Sequence, residues 1–311
     1  MKNAWLTIVN ITAGGGKAGK DWLQIRNLLE KHQVNYQAEF TDRRLHAMVI
    51  ARRKIEEGFN KIIVVGGDGT MNEVINGLFA QKRLKTTEVM LGMIAVGTGN
   101  DWARMFNIPS DYEKAILTIK NRKTFIQDAG LVTYKRNGRT WQRYFINIAG
   151  MGFGAKVVEK TNRQKDRGKS SPALYLCNLF TSLIRYRSTK ARILIDGQLI
   201  DRKVFSMNVG IGKYNGGGMM QVPDAIADDG LYSITLIKRI GRLNVLANIK
   251  RLYNGKITEH SKVETYTARE ISVDSPTRLQ LETDGETLGH APLDFQIIPR
   301  SIKVISGELS A

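Results

Sequence analysis

Apolar runs and amphipathic stretches alternate through the first third of the chain. "AWLTIVN" is apolar and β-branched, and "DWLQIRNLLEKH" follows with helical spacing at Trp22, Ile25, Leu28 and Leu29. "VNYQAEFT" predicts a strand, and "LHAMVIARRKIEEG" a helix ended by Gly58. The strand "KIIVVGG", the helix "MNEVINGLFA" and the strand "MLGMIAVGTGN" complete the series. A β-α-β-α-β-α-β order implies a parallel sheet with helices on its faces. Ligands of such sheets bind beyond the carboxyl ends of the strands. Each strand here ends in a loop rich in Gly, Asp, Asn or Thr.

The texture changes near Gln127. Short β-branched runs now alternate with Asn137-Gly138, Asp196-Gly197, Asp229-Gly230 and Asp284-Gly285, dipeptides that favour the positive φ of hairpin turns. An antiparallel β domain is expected, interrupted by one helix around "ALYLCNLFTSLIRY". The expected boundaries are 1–126 for the α/β domain and 127–292 for the β domain, with the tail 293–311 packing back on the first.

Composition narrows the function. The chain of 311 residues is 42% hydrophobic, which excludes a disordered or collagen-like chain. Its net charge of +18 suits anionic partners: nucleic acid, nucleotide phosphates or an acidic membrane surface. A basic surface kept for solubility would read the same. The single cysteine, Cys177, excludes an internal disulfide and a cysteine metal cage, and its apolar neighbours suggest a core position. The N-terminus lacks a signal-peptide pattern, and the uncharged run 170–184 is too short to span a bilayer. A cytoplasmic protein able to touch a membrane is expected.

"VVGGDGTMNEV" (64–74) leaves a strand, turns through Gly66, Gly67 and Gly69, and enters a helix. Glycines let the backbone approach phosphate oxygens, and the helix N-terminus adds donors and a favourable dipole. Asp68 is acidic where phosphate would sit, so a cation between them, Mg²⁺, is inferred. The plain alternative is a strand-helix turn with Asp68 or Thr70 as N-cap. "AVGTGNDWAR" (95–104) repeats the logic after the next strand, with Thr98, Asn100 and a second carboxylate, Asp101.

"NITAGGGKAGKD" (10–21) matches two phosphate-binding patterns, G-x-G-x-x-G and G-x-x-x-x-G-K. Asp21 stands where the second pattern needs a Ser or Thr hydroxyl for Mg²⁺. The first expects a helix opening on its glycines, whereas this helix is predicted to start near Asp21. A phosphate-contacting loop of another kind fits better.

"GGDGTMNEV" with "GTGNDWAR" resembles the diacylglycerol kinase catalytic-domain family, which includes sphingosine and ceramide kinases and bacterial lipid kinases. "NITAGGG", "TDRRLHA", "FINIAGMGFGAKV", "GGGMMQVPDAIADDGL" and "LETDGETL" resemble its further motifs in the expected order. The resemblance implies an α/β nucleotide-binding domain related to phosphofructokinases and NAD kinases, plus an antiparallel β-sandwich domain, with ATP in the cleft between them. It implies ATP contacts from Asn10, Gly14, Thr41, Gly66, Gly67, Asp68, Gly69, Thr70, Met71, Asn72 and Thr98. Asp68 and Asp101 would organise catalytic Mg²⁺, partly through water, and Glu286 would be the general base. A structural Mg²⁺ would use the Asp229 carboxylate and the carbonyls of Ile226 and Leu231. Asp128 matches the family's Asp-x-Gly strand. Three positions depart from the pattern: Ile11 where Pro is usual, Leu45 where Gly is usual, and Gly154 where Asp is frequent.

The implied reaction moves the ATP γ-phosphoryl to a lipid hydroxyl, with diacylglycerol giving phosphatidic acid. Without the resemblance, "TDGET" is simply a good hairpin turn, and Asp228-Asp229 a turn before a strand. Between 151 and 192 there are 10 Lys/Arg and 2 Asp/Glu, a balance drawn to anionic lipid. The apolar run 172–184 either lines a lipid cleft or is core. Three alternatives stand beside this reading: a sphingoid-base or ceramide kinase, an NAD kinase, and a non-enzymatic binder of anionic membrane or nucleic acid. The last lacks an aromatic-basic RNA motif or a helix-turn-helix, so no nucleic-acid partner is expected. An edge strand of the β domain could pair two copies in a homodimer.

Overall fold

The computed structural model describes residues 3–165 and 172–308. The chain forms two compact units, residues 1–127 with 300–311, and residues 128–299.

Unit 1 begins β1 (Trp5–Val9), α1 (Lys17–Lys31), β2 (Tyr36–Phe40), α2 (His46–Glu56), β3 (Lys61–Gly66), α3 (Asp68–Ala80) and β4 (Met90–Ala95). Two short helices follow, α4 (Asp101–Met105) and α5 (Tyr112–Asn121). All pairings are parallel: β1 lies between β2 and β3, and β3 lies beside β4. Lys303 and Val304, returning at the end of the chain, add a parallel strand beyond β4. Every residue of β1 is buried, as is all of β3 after Lys61, so these strands read as continuous apolar runs covered on both faces. The edge strand β2 is only partly buried; Trp22 of α1 packs edge-on against its Tyr36 and Phe40. In the order β2-β1-β3-β4, the chain moves outward from β1 to β2 and then crosses back to β3. The switch point therefore lies between β1 and β3, whose carboxyl ends carry "NITAGGG" and "GGDGT".

Unit 2 is antiparallel. Its strands are β5 (Thr124–Arg136), β6 (Arg139–Phe145), β7 (Ile148–Gly152), β8 (Thr189–Ile195), β9 (Gln198–Gly210), the short pair β10 (Tyr214–Asn215) and β11 (Met219–Met220), β12 (Tyr232–Lys238), β13 (Val263–Ala268), β14 (Glu270–Asp274), β15 (Gln280–Thr283) and β16 (Glu286–Ile305), the first and last crossing the unit boundary. One path runs β13-β12-β9-β7-β15-β16, and β14 with β8 links β16 back to β9. Phe145, Tyr232 and Phe295 form an aromatic centre. Asn137-Gly138, Asp196-Gly197 and Asp284-Gly285 take positive φ at both positions and close the hairpins β5–β6, β8–β9 and β15–β16. Asp229-Gly230 does not: only Gly230 has positive φ, and the segment is a turn leading into β12.

Unit 2 holds more helix than the single one expected: α6 (Phe153–Lys165), α7 (Pro172–Arg185) and α8 (Arg242–Asn248). In α6 only a narrow stripe is apolar, and its Phe153 and Val157 pack with Leu179, Leu183 and Phe205. In α8 no residue is fully buried, so its sequence carries little helical signal. Cys177 is exposed, not core. The reason is the orientation of α7: Asn178, Leu179 and Leu183 turn inward, leaving Cys177, Phe180 and Ile184 on the opposite face.

Candidate active site

Three strand ends of unit 1 converge at the switch point. The Asn10 side-chain amide donates to Thr70 Oγ1 at 2.9 Å, while Asn10 Oδ1 accepts from the Thr12 N–H and hydroxyl. One side chain thus ties the loop after β1 to the first turn of α3. Gly67 and Gly97 bring the loops after β3 and β4 into backbone contact: a Cβ on Gly67 would lie 2.9 Å from Gly97 Cα. Gly14, at φ 63, sits with no room for a side chain against the carbonyl of Val96. Close approach requires all three glycines, and Gly14 also needs the left-handed backbone.

Asp68 has a role that spacing did not reveal. Its Oδ2 accepts the Asp101 N–H at 3.1 Å, and its Oδ1 the Trp102 N–H at 3.0 Å. It therefore caps α4, the helix of the neighbouring loop, instead of its own. Burial pushes the carboxyl above the usual range, opposed by the backbone N–H groups aimed at it. Asp101 is buried, and a Cβ built on Gly99 would lie 3.2 Å from a carboxylate oxygen of each aspartate. Asn100, in the left-handed region at φ 52, holds a buried Oδ1 with no hydrogen-bond partner among the described residues. The two carboxylates beside Gly99 are oxygen donors of the kind that suits a hard cation such as Mg²⁺.

The other expected positions fall as follows. Gly66, Gly67, Gly69 and Thr70 form the β3–α3 turn, and Thr98 is exposed at the tip of the β4–α4 loop. Thr41 is buried, its N–H donating to the Val9 carbonyl beside the same strand ends. Met71 and Asn72 are fully buried beneath the turn. The opening helix starts at Lys17, four residues earlier than expected. Gly19 makes this possible: its N–H donates to the Ile11 carbonyl, and a Cβ there would lie 3.0 Å from that oxygen. The Ala18 N–H likewise turns back to the Ala13 carbonyl. Asp21 accepts from the Tyr112 hydroxyl at 2.6 Å, a packing role on α5.

Glu73 has a structural role that its place in the motif does not reveal. From α3 its carboxylate accepts the N–H groups of Leu45 (2.8 Å) and Ala47 (3.1 Å), capping α2. Leu45 itself has φ 61, a conformation that explains why glycine is usual there.

In unit 2 the turn carrying Glu286 is held from several sides. Asp284 accepts three backbone N–H groups, from Ile146, Asn147 and Ile148, at 3.0–3.2 Å. Glu282 accepts the Gly285 N–H at 3.0 Å and the Asn215 amide at 2.8 Å. The Asn162 amide donates to the Gly285 carbonyl at 2.9 Å. Glu286 is half-buried at the head of β16. Its neighbour Glu282 is fully buried, and burial with the nearby Asp284 and Glu286 charges pushes its carboxyl up to about 8.

Around 226–231, the exposed Asp229 carboxylate accepts the Leu231 N–H at 2.9 Å in a local turn. Asp128 anchors that turn, accepting the Gly230 N–H and donating its own N–H to Ala227. Among the described residues no group of three His, Cys, Asp or Glu side chains is placed to hold a metal. A site built on one carboxylate and the carbonyls of Ile226 and Leu231 would not need such a group. At Gly154 a Cβ would meet only Ser206 Oγ, at 3.7 Å.

Residues 4–132 match the diacylglycerol kinase catalytic domain, and residues 147–306 match the YegS C-terminal NAD kinase beta sandwich-like domain. A diacylglycerol kinase of Staphylococcus saprophyticus is 32% identical over 98% of this chain and 96% of its own. One of Staphylococcus aureus strain MRSA252 is 31% identical over 98% and 93%.

The chain belongs to the diacylglycerol kinase family.

As a member of that family it is a kinase, with ATP as co-substrate and a lipid as the acceptor class. Solved structures share the fold. A diacylglycerol kinase from Bacillus anthracis str. Sterne superposes with a TM-score of 0.71 at 22% identity, covering 98% of this chain and 97% of that one. Yeast NADH kinase, complexed with NADH, gives 0.56 at 11% identity, covering 98% and 84%. The α/β unit followed by a β-sandwich-like unit is thus the fold of diacylglycerol kinases and NAD kinases. No helix among the described residues is long and apolar enough to cross a membrane.

Proposed function

We propose that this kinase transfers the γ-phosphoryl of ATP to the hydroxyl of diacylglycerol, with Mg²⁺, giving phosphatidic acid at the cytoplasmic face of a membrane. The observation that carries this reading is the convergence of the Asp68 and Asp101 carboxylates on glycine loops at the switch point of unit 1. Asn10, Gly14, Thr41, the 66–70 turn and Thr98 bind the ATP phosphates and nucleoside, with Met71 and Asn72 packed beneath them. Asp68 orients α4 and, with Asp101, would hold Mg²⁺. Bound Mg²⁺ supplies neutralisation of charge on the phosphate oxygens. In unit 2 Glu286 takes the proton from the attacking hydroxyl. The multiply held turn at 282–285 supports this assignment, because it fixes the backbone from which Glu286 projects. The 226–231 turn, already anchored by Asp128, would be stiffened by a second Mg²⁺ on Asp229 and the carbonyls of Ile226 and Leu231.

The names of the relatives favour diacylglycerol over sphingoid bases and ceramide. The likeness to NADH kinase concerns the fold alone. Labelled ATP offered with diacylglycerol, sphingosine, ceramide and NAD, with Mg²⁺ or with a chelator, tests the reading. Transfer to diacylglycerol that stops with the chelator supports it. Transfer to NAD, or to a sphingoid acceptor in preference, contradicts it.

A further inference from the structure

Unit 2 carries an open cavity of about 1030 Å³ where the end of α7 meets the start of α8. Its floor is apolar, with Leu183, Tyr186, Phe205 and Ile240. Its rim is basic: Arg187, Lys203, Arg239 and Arg242, all exposed. No acidic residue lines it, and none of the four cations has an ion-pair partner among the described residues. A cluster of unpaired cations around apolar walls repels itself unless an anion neutralises it.

The surface beside the cavity is apolar as well. Leu243, at its edge, is 83% exposed, and Ile184 is 63% exposed. Along α7, Cys177, Phe180 and Ile184 share the outward face, while Leu179 and Leu183 enter the core. On α8, Val245 and its neighbour Ile249 pack on the same core, while Leu243 and Leu246 face out. An apolar crest bordered by unpaired cations matches a bilayer surface, with acyl chains below and anionic headgroups above.

We propose that this α7–α8 face seats unit 2 on a membrane containing anionic phospholipid. Headgroup phosphates bind Arg187, Lys203, Arg239 and Arg242, and Phe180, Ile184 and Leu243 enter the acyl region. The inference deepens the lipid-kinase reading by naming the surface that meets the substrate's membrane, and it rests on that reading for its purpose. The binding itself needs neither ATP nor turnover. It differs from attraction by net charge because it assigns the contact to one cavity and one crest.

The chain's single cysteine provides the probe. An environment-sensitive fluorophore on the exposed Cys177 is titrated, without ATP, with vesicles of phosphatidylcholine alone and of phosphatidylcholine with phosphatidylglycerol. The label shifts to the blue with the anionic vesicles, and the shift weakens with salt. Each rim cation removed lowers the vesicle affinity about fivefold, the equivalent of roughly 1 kcal/mol. The triple variant Arg187→Gln, Arg239→Gln, Arg242→Gln therefore binds about 100-fold more weakly. Leu243→Asp weakens binding while leaving the rim intact. Both variants keep wild-type turnover on diacylglycerol in detergent micelles, which shows that they fold. Wild-type vesicle affinity in both variants overturns the proposal. So does an equal shift with phosphatidylcholine alone, or a shift produced by inorganic phosphate or an RNA oligonucleotide instead of vesicles. Vesicle binding through this face by a chain that phosphorylates no lipid would remove the kinase reading and leave this one standing.

Discussion

Glu282 gives the sharpest quantitative expectation. Its side chain is fully buried in β15, accepting from the Asn215 amide and the Gly285 N–H, with no cation acting on it among the described residues. Asp284 and Glu286 add repulsion, and the carboxyl is pushed from 4.5 up to about 8. The folded chain therefore holds this proton where the unfolded chain has released it. Stability is complete below about pH 4.5 and declines as pH rises towards 8, because the folded state binds more protons over that interval. A rise of this size corresponds to roughly 5 kcal/mol in the limit, and to about half of that where the site relaxes or admits water. Glu282→Gln keeps the shape and an acceptor oxygen but cannot ionise. Urea unfolding of both proteins at steps between pH 5 and 8.5 tests the reasoning. The amide cannot accept both N–H groups, so the variant starts at a fixed disadvantage near pH 5, and the difference should move in its favour by at least ~2 kcal/mol by pH 8.5. Parallel pH profiles for the two proteins would refute the argument.

Other expectations concern the backbone and the loops. Leu45→Gly should leave stability unchanged or raise it by up to about 1 kcal/mol in thermal melts, since Leu45 is held at φ 61 where a side chain is strained. Gly77→Ala should lower stability by about 1–3 kcal/mol, because the new methyl would lie 2.9 Å from Ala51 Cβ and press on the Met48 carbonyl where α2 packs on α3. Asp68→Asn should cost about 2–3 kcal/mol as well as turnover, since an amide cannot accept both N–H groups of α4. A variant that loses turnover with an unchanged melting temperature would remove its capping role.

The parallel sheet was legible because β1, β3 and β4 are buried on both faces and read as unbroken apolar runs. The three Asx-Gly hairpins were legible because positive φ at two successive positions restricts the residue types. What escaped the sequence is long-range. That Asp68 caps α4, and Glu73 caps α2, depends on which helices the fold brings alongside. Cys177 was expected inside because apolar neighbours in sequence do not say which side of a helix faces the core. The helix α8 went unseen because its outward leucines blur the amphipathic pattern. Gly14, Gly66 and Asp101 stood out because close backbone approach and paired carboxylates leave a mark in local sequence. Glu282 stood out in no way: one acid in a short strand carries no signal until its burial is known.

In the proposed reaction, Glu286 of unit 2 is the base for phosphoryl transfer to diacylglycerol. The direct measurement compares the wild-type chain with Glu286→Gln for transfer of labelled phosphate from ATP to diacylglycerol in mixed micelles, with ATP affinity measured alongside. Phosphatidic acid is expected from the wild type, with turnover reduced about 10²–10⁴-fold in the variant and ATP binding unchanged. Equal turnover in the two proteins, or no transfer to diacylglycerol by the wild type, would contradict it.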